Sequence, residues 1–247
     1  MRLPRHDTSL RLPAEAPVEG LLRDEALLDD VLGQGKTLVR WWLPASPAVV
    51  VGLGLRHRLT EVVDVGRCRQ QGLDVLDRRA GGGALLLDAH MLCGAICLPL
   101  PDPRIGDDIT ESYRWLGDLL ASVLAARRVE VAEARADVAM LRAQPEDPVA
   151  RTLLATCYGA LSPHEVAIGS AKLVGIAQIR RRQAALFQFG ILLRDQAPLA
   201  DYLNVPDEAT RDSLRTELRA RTAAVEPTGP AAAAVAAAVE DAMPCVP

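Results

Sequence analysis

The sequence predicts a domain that mixes helices and strands, either of the α+β class or of the α/β class with a mixed sheet. Strand-like runs and amphipathic helical segments alternate along the chain, and the strand-like runs of the last third are joined by connections of hairpin length. Hydrophobic residues make up 49% of the 247 residues, so the chain can bury a sizeable core in one large or two small domains.

The first half of the chain begins with an extended lead-in, residues 1–16, which contains two prolines and no long apolar run. Apolar residues then fall at helical spacing over residues 17–33, which predicts an amphipathic helix. The elements predicted next are strands at 37–43 and 48–54, a short helix at 60–71, and strands at 73–79, 84–88 and 91–100.

The second half of the chain continues the alternation. An apolar face at helical spacing predicts a helix over residues 107–128. The elements predicted after it are a short strand at 129–133, a loop at 142–150, strands at 153–158, 164–168, 171–180 and 185–193, and helices at 197–203 and 206–224. The Ala-rich tail that follows is helix-prone, but its sequence shows no face for a partner.

Charge and cysteine content exclude several classes of protein. Lys and Arg total 28 against 32 for Asp and Glu, a formal net charge of −4, which argues against a dedicated nucleic-acid binder. No run of about 18 apolar residues is present and the first residues carry no apolar segment, so we expect neither a membrane span nor a secretory signal. The five cysteines show no disulfide framework, and we expect reduced thiols in the cytoplasm.

The cysteines also give no reason to expect a metal. Cys93 and Cys97 lie four residues apart in a strand-like run, but no second Cys or His pair accompanies them. A tetrahedral zinc site needs about four such ligands, so we expect no bound metal.

The first motif with chemical potential runs from Arg78 to Asp88, RRAGGGALLLD. Its glycines, Gly81–Gly83, permit close backbone approach and positive φ, and their N–H groups can cradle an anion or an adenylate-sized ligand. Arg79 would lie at the mouth of that site and pair with a carboxylate or a phosphate. The structural alternative is a glycine-rich hairpin turn.

The second motif is GSAKLVGIAQIRRR, residues 169–182. It holds Lys172, one of only two lysines in the chain, three residues before Gly175. A lysine there can act as a point charge on a carbonyl or phosphate oxygen, or it can be an exposed strand residue. The run Arg180–Arg182 is typical of a solvated face, and its alternative is a landing patch for an acidic partner.

The third motif is TCYGALSPHEV, residues 156–166. Cys157 at the end of a predicted strand, close to Ser162 and His164, has the composition of a nucleophile with a nearby base. The alternative is a small buried hydrophobe, the commonest environment of a free cysteine.

The three motifs, in this order, resemble the biotin/lipoate A/B protein ligase family. RRAGGGALLLD is similar to the family's RR-x-GGG-A-x-x-x-D loop, and GSAKLVGIAQ is similar to its lysine loop, K-x-x-G-x-A-Q. AVVVGLG (residues 48–54) and FQFGILL (residues 187–193) resemble the strands at the pocket floor and after the lysine loop. The resemblance implies an α+β fold, with mixed β-sheets flanked by helices in a lipoate-ligase/biotinyl-transferase-like catalytic domain.

Within this family, the third motif resembles the cysteine-dependent octanoyltransferases and amidotransferases. Their pattern, C-F-x-x-x-S-x-x-E, is matched by Cys157, Tyr158, Ser162 and Glu165. The resemblance implies that Cys157 takes the acyl group as a thioester and that Lys172 polarises the acyl carbonyl. The substrate-binding residues that it implies are Arg79, Gly81, Gly82, Gly83, Ala84, Gly175 and Ala177. The supporting residues that it implies are Glu165, Ser162 and His164.

Two positions depart from the family pattern. Leu87 and Phe189 stand where the family often has histidine. The resemblance divides the chain into the lead-in, a catalytic domain at residues 17–205, and a C-terminal helical extension at residues 206–247. That extension is too short for the accessory domain that ATP-dependent lipoate ligases commonly carry.

The resemblance implies an acyltransferase of protein lipoylation. An octanoyl or lipoyl group would pass from an acyl carrier protein to a lysine of a lipoyl-domain protein or a glycine-cleavage H-type protein, with no cofactor. One alternative is an ATP-dependent lipoate–protein ligase, which needs ATP and magnesium and acts through lipoyl-adenylate. A second alternative is a non-catalytic acyl-binding paralogue. The sequence does not separate octanoyl from lipoyl.

Overall fold

The structure of the protein is a computed structural model. The residues that it describes are 12–125, 130–131, 136–225 and 229–243. Most of the predicted lead-in, part of the strand predicted at 129–133, and Cys245 therefore lie outside the described residues.

Within the described residues the chain forms ten strands, eight α-helices and three 3-10 segments. The strands are β1 (Ala14–Glu15), β2 (Leu38–Pro44), β3 (Ala48–Gly52), β4 (Asp74–Arg78), β5 (Leu85–Leu87), β6 (Met91–Pro99), β7 (Glu130–Val131), β8 (Val166–Ile168), β9 (Ala171–Arg180) and β10 (Ala184–Leu192). The α-helices are α1 (Pro17–Gln34), α2 (Leu59–Val62), α3 (Val65–Gln70), α4 (Arg114–Leu124), α5 (Ala136–Arg142), α6 (Pro148–Leu154), α7 (Glu208–Arg221) and α8 (Gly229–Ala242). The 3-10 segments are Leu53–Arg58, Glu111–Tyr113 and Ala197–Tyr202.

Two sheets form the frame of the molecule. The large sheet has the strand order β1-β2-β6-β10-β9-β8-β7, with antiparallel pairing everywhere except between β1 and β2. The small sheet has the order β4-β3-β5, with β4 parallel and β5 antiparallel to β3. The predicted α+β class with mixed sheets is confirmed.

The alternation of side chains along each strand divides the core into layers. On β6, Ile96 joins the apolar cluster that α4 and α8 cover on one face of the large sheet, whereas Ala95 packs under α1 on the other face. On β3, Val50 faces the large sheet, whereas Val49 and Val51 face the helices behind the small sheet. The small sheet and α1 therefore share one face of the large sheet, and a gap remains between them.

The small sheet is held in place by the segment that follows β10. The Gln196 side chain accepts a hydrogen bond from Leu86 N–H (2.9 Å) and donates one to Leu86 C=O (3.0 Å), as a neighbouring strand would. Asp88, the last residue of the glycine-rich motif, pairs with Arg194. These contacts fix β5, which forms part of the wall of the gap.

Helix α1 is joined to the large sheet by a buried ionic network. Arg40 of β2 binds Asp24 of α1 at 2.5 Å and both oxygens of Glu15 at 2.6 Å. Trp42 and Gln188 also point N–H groups at Asp24, at 3.4 Å and 3.1 Å. Because Asp24 has partners on two strands, its position on the helix is fixed at the edge of the gap.

One predicted strand is wrong. Residues 153–158, expected as a strand, contain the end of α6 and the turn after it, and the predicted loop at 142–150 contains the beginning of that helix. The physical reason is a local start signal, since Asp147 accepts a hydrogen bond from Val149 N–H and Pro148 occupies the first helical position. Helix α5 was also missed.

The Ala-rich tail has a partner face that the sequence did not reveal. Ala232, Ala236 and Val239 of α8 are buried in the cluster beneath the large sheet, against α4. Their spacing of four and three residues places them on one side of the helix. Leu214 and Leu218 of α7 enter the core behind the small sheet in the same way.

Asp24 makes the stability of the fold depend on pH. Burial raises the pKa of Asp24 to about 6, although the Arg40 guanidinium lowers it. Between about pH 4 and pH 6 the folded protein therefore binds more protons than the unfolded chain, so the contribution of Asp24 to the free energy of unfolding falls as pH rises. We expect the free energy of unfolding of the wild type, minus that of Asp24→Asn, to fall by about 2 kcal/mol as pH rises across this window. Urea unfolding at each pH measures both values. A difference that stays constant or grows with pH would contradict this assignment.

Candidate active site

Two cavities meet at Cys157. The first, the inner pocket, lies in the gap between the sheets, has about 480 Å³ of empty space, and is lined by Val50, Leu85, Leu87, Cys93, Gly190 and Cys157, among others. The second, the outer cleft, has about 1490 Å³ of empty space and is lined by Gly81, Gly82, Gly83, Thr110, Cys157 and Lys172, among others. A group bound to the Cys157 sulfur can therefore extend either into the apolar interior or toward solvent.

The glycine-rich motif holds the backbone of Cys157. Cys157 N–H donates to Ala84 C=O, and Ala84 N–H donates to Ala155 C=O, each at 2.8 Å. A side chain on Gly83 would place its Cβ 2.4 Å from the Ala155 oxygen, so only glycine allows this approach. The loop and the cysteine therefore form one unit, which the sequence motifs placed far apart.

Gly82 brings the same loop close to the sulfur. Its φ is +107°, a conformation that favours glycine, and a Cβ there would lie 3.6 Å from Cys157 Sγ. The loop also lies against Gly52 at the end of β3, where a Cβ would be 2.1 Å from the Gly82 oxygen. The glycine-rich segment is thus a close-packed wall of the outer cleft and more than a hairpin turn.

The arginine at this site is Arg78, whereas we expected Arg79. Arg78 Nη2 lies 3.7 Å from Cys157 Sγ and donates to Gly81 C=O at 2.8 Å. Arg79 points away, and its exposed guanidinium lies 3.5 Å from Glu25 of α1. Adjacent residues at a strand end face opposite sides, so the double arginine of the motif could not by itself show which residue faces the sulfur.

Lys172 lies beneath Cys157 and is 2% exposed. Its ammonium donates to Cys157 C=O at 2.5 Å, pairs with Glu165 Oε2 at 2.7 Å, and lies 3.4 Å from Ala160 C=O. All three N–H groups therefore have an acceptor. Lys172 fixes the main chain of the cysteine, and the weakest of its three contacts is the one to Ala160.

Glu165 completes this buried pair. Burial raises the pKa of Glu165, and the Lys172 ammonium opposes that rise. Its carboxylate also accepts hydrogen bonds from Ser162 N–H at 2.7 Å and Ile176 N–H at 3.4 Å. Two backbone donors and one cation thus compensate the buried charge.

Tyr158 positions the inner pocket, a role that the sequence analysis did not assign. Its hydroxyl donates to Gly190 C=O at 2.7 Å and accepts from Gly175 N–H at 3.3 Å, which ties the residue after Cys157 to β9 and β10. A Cβ on Gly190 would lie 2.8 Å from that hydroxyl, so the ring needs glycine beneath it. Of the two residues that we predicted to bind substrate on β9, Gly175 lines the inner pocket and Ala177 lines both cavities.

His164 does not reach Cys157. It has a positive φ of 68°, and its buried ring lies 3.3 Å from Glu111 Oε1. His164 is absent from the linings of both cavities, whereas Ser162 and Glu165 line the outer cleft. The expectation that His164 lies close enough to assist the thiol is not met.

The two departures from the family pattern fall on different sides of the large sheet. Leu87 lines the inner pocket and belongs to its apolar wall. The Phe189 ring packs edge-to-face against Trp41, with 5.3 Å between ring centroids, in the core on the opposite face. Leu87 thus replaces a polar group with an apolar one in the pocket, whereas Phe189 adds to the core.

The arginine run, Arg180–Arg182, is largely engaged within the chain. Arg180 donates to Gly106 C=O and Ser112 Oγ, at 2.8 Å and 2.7 Å. Arg181 pairs with Asp29 at 2.7 Å. The run is therefore less of a landing patch for an acidic partner than its sequence indicates.

In the described part of the chain, no group of three or more His, Cys, Asp or Glu side chains is arranged to hold a metal ion. No helix among the described residues is both long enough and apolar enough to span a bilayer.

Comparisons with known proteins give the relatives of this chain. Octanoyltransferase LipM of Lysinibacillus sphaericus is 27% identical over 214 residues, which cover 85% of this chain and 74% of the relative. Octanoyltransferase LipM of an Exiguobacterium species is 28% identical over 221 residues, covering 89% and 77%.

Solved structures share the fold. The bipartite lipoate protein ligase of Thermoplasma acidophilum superposes with a TM-score of 0.68 at 20% identity, covering 94% of this chain and 82% of that one. Lipoate-protein ligase A bound with ATP gives a TM-score of 0.58 at 20% identity, covering 91% and 92%. The family model of the lipoyl protein ligase A/B catalytic domain matches residues 16–243. With a match over nearly the whole chain and the two-sheet fold of its solved neighbours, this protein belongs to the lipoyl protein ligase A/B catalytic domain family.

Proposed function

We propose that this chain is an octanoyltransferase of protein lipoylation that works through a thioester on Cys157. The observation that carries the proposal is the position of the Cys157 sulfur, at the junction of the inner pocket and the outer cleft and 3.7 Å from Arg78. The similarity to enzymes named octanoyltransferase LipM supports the same reaction.

In the first step, the Cys157 thiolate attacks the carbonyl carbon of an octanoyl thioester. A new C–S bond forms, the bond to the donor sulfur breaks, and the donor leaves as a thiolate that takes up a proton. The octanoyl chain lies in the apolar inner pocket, and the donor occupies the outer cleft. Arg78 places its positive charge beside the attacking sulfur, with Nη2 3.7 Å from Cys157 Sγ.

In the second step, the ε-amine of an acceptor lysine attacks the thioester carbon. An amide bond forms, the C–S bond to Cys157 breaks, and the amine gives up one proton as the thiolate is restored. Lys172 serves both steps by holding the Cys157 main chain. An acyl oxygen that replaces the 3.4 Å contact to Ala160 would receive a hydrogen bond from the ammonium and be polarised by it.

The partners follow from this chemistry. We assign an acyl carrier protein as donor and a lipoyl-domain or glycine-cleavage H-type protein as acceptor, because both present a flexible thioester or lysine that an open cleft admits. The lipoyl-domain acceptor has support from the T. acidophilum ligase, which belongs to a lipoylation system described with its E2 lipoyl domain. A thioester donor already carries an activated acyl group, so this reaction requires neither ATP nor magnesium. We place it in the cytoplasm, where free thiols persist.

The proposed thioester can be detected directly. After mixing with octanoyl-carrier protein and no ATP, intact-protein mass spectrometry should show one octanoyl adduct that hydroxylamine removes. Cys157→Ser should give no hydroxylamine-sensitive adduct, and Cys68→Ala, at a buried cysteine in the core behind the small sheet, should still form it. Modification of a lipoyl domain only with free acid, ATP and magnesium would instead indicate a ligase. Acyl binding without modification in either assay would indicate a non-catalytic paralogue.

The two adjacent arginines supply a matched pair of variants. We expect Arg78→Gln to slow acylation of Cys157 about tenfold at neutral pH, because the thiolate loses its neighbouring cation. Arg79→Gln should behave like wild type, since Arg79 lies beside Glu25. Equal effects of both changes, measured by rapid-quench mass spectrometry, would argue against a role for Arg78 at the sulfur.

Variants of the buried pair, Lys172 and Glu165, separate stability from activity. Lys172→Met leaves the Glu165 carboxylate unpaired and should reduce the free energy of unfolding by about 3 to 5 kcal/mol. The double variant Lys172→Met/Glu165→Leu should recover most of that stability in urea unfolding, yet acylate slowly, because nothing holds the Cys157 carbonyl. If the double variant acylates at the wild-type rate, the pair is only structural.

A further inference from the structure

The outer cleft extends away from the sulfur along two short helices. Helices α5 and α6 pack against each other, and a turn at residues 143–147 joins them. In a helical hairpin of this kind the start of the first helix lies beside the end of the second. Leu154 at the end of α6, Val138 in α5 and Arg142 at the end of α5 all line the cleft. The cleft therefore runs from Cys157, just after α6, past Leu154 and Val138 toward Arg142.

Arg142 faces the cleft because of the helical period. Val138 and Arg142 are four residues apart, so they share one side of α5. Leu141, on a different side, is only 4% exposed and packs in the core behind the small sheet. The burial of Leu141 fixes the rotation of the helix, so the exposed Arg142 side chain stays at the surface of the cleft.

The guanidinium of Arg142 is available to a ligand. Among the described residues it forms neither an ion pair nor a side-chain hydrogen bond. The carboxylate that lines the cleft, Glu165, already pairs with Lys172 at 2.7 Å. An arginine in a protein is always protonated. Within the described residues, Arg142 thus gives the cleft a positive charge that no carboxylate neutralises.

The distance of this charge from the sulfur indicates what it can bind. Helix α6 has seven residues and is about 10 Å long, and Arg142 and Cys157 lie beyond its opposite ends. An arginine side chain of roughly 7 Å extends the reach of Arg142 further. The arm of 4′-phosphopantetheine places its phosphate about thirteen bonds from the thioester sulfur, roughly 16 Å when extended. A lysine side chain spans only roughly 6 Å and carries no group that a guanidinium attracts.

Resting on the proposed function, we infer that the outer cleft binds the thioester arm of a 4′-phosphopantetheine donor and that Arg142 binds its phosphate. Arginine pairs with phosphate through charge-assisted hydrogen bonds, which are roughly twice as strong as neutral ones. The same charge repels the ammonium form of an acceptor lysine. Arg142 is therefore a specificity-determining residue for the acylation of Cys157, and the attack by the acceptor does not use it.

The test compares two donors that differ only in the phosphate, octanoyl-pantetheine and octanoyl-4′-phosphopantetheine. Rapid-quench mass spectrometry of the full-length protein gives the second-order rate constant for acylation of Cys157. We expect the phosphorylated donor to react about tenfold faster with wild type. Arg142→Gln should remove this preference by slowing the phosphorylated donor alone, and Arg142→Lys, which keeps the charge, should retain part of it. Because Arg142 is exposed, these changes leave the core intact.

Arg151→Gln is the matched control. Arg151 is an exposed arginine of α6 that is absent from the linings of both cavities. Its replacement should leave the preference for the phosphorylated donor unchanged. A second control uses enzyme that octanoyl-pantetheine has already acylated. Transfer from that enzyme to a lipoyl domain should proceed at the same rate in wild type and Arg142→Gln, since the acceptor carries no phosphate.

Two natural sources of this phosphate can be distinguished with the same variants. Octanoyl-coenzyme A and octanoyl-carrier protein both contain the phosphopantetheine arm, so Arg142→Gln should slow acylation by each of them. A loss confined to octanoyl-coenzyme A would place Arg142 at the adenosine phosphates. A loss confined to the carrier protein would place it at the protein surface of the donor. Either result would overturn the assignment to the arm.

Equal acylation of wild type by the two pantetheine donors, or a preference that persists in Arg142→Gln, would also refute the inference. Melting temperature supplies a readout that needs no acyl transfer, because a ligand that binds the folded state raises it. Phosphopantetheine should stabilise wild type more than pantetheine does, and Arg142→Gln should abolish the difference. If no thioester acylates Cys157 while this difference is present, the transferase is refuted and the phosphate site is retained. Acylation without any effect of the phosphate would refute the site alone.

Discussion

The position of the Cys157 sulfur depends on one buried ammonium group. Lys172 binds the carbonyl of Cys157 and the carboxylate of Glu165 at once, so the turn after α6, the segment before β8 and β9 itself meet at a single cation. Buried charges persist only when paired and hydrogen-bonded, so none of these segments can shift without leaving one unpaired. An ammonium suits this task because its donors radiate from one atom, whereas a guanidinium presents a wide planar fork.

Around this contact, the two sheets form different sides of the inner pocket. The large sheet supplies a floor of small residues, and the small sheet with α1 supplies the opposite walls. Tyr158 occupies the space that Gly175 and Gly190 leave, so the residue next to Cys157 also shapes the inner pocket. The apolar lining and the buried Asp24 carboxyl both border one gap, which α1 closes.

The sequence predicted the features that local residue patterns determine. The long strands β9 and β10, helix α1 and the close approach of glycines were readable, because period and residue type determine them. The role of Arg78 was not readable, because two adjacent arginines do not reveal which of them faces the sulfur. Periodicity could not correct the wrong strand prediction at residues 153–158, because Asp147 and Pro148 begin a short helix through local hydrogen bonding. Tyr158 gains its role only from contacts distant in sequence, which no local sequence pattern displays.

The outer cleft has an implication for the order of events in catalysis. One sulfur lies at its base, and the proposed donor and acceptor proteins must both approach through the same opening. Under the proposed thioester mechanism they cannot be bound productively together, and each turnover would alternate between a free and an acylated enzyme in a ping-pong cycle. Acceptor in excess then competes with donor for the free enzyme, so flux depends on the balance between the two proteins as well as on their amounts.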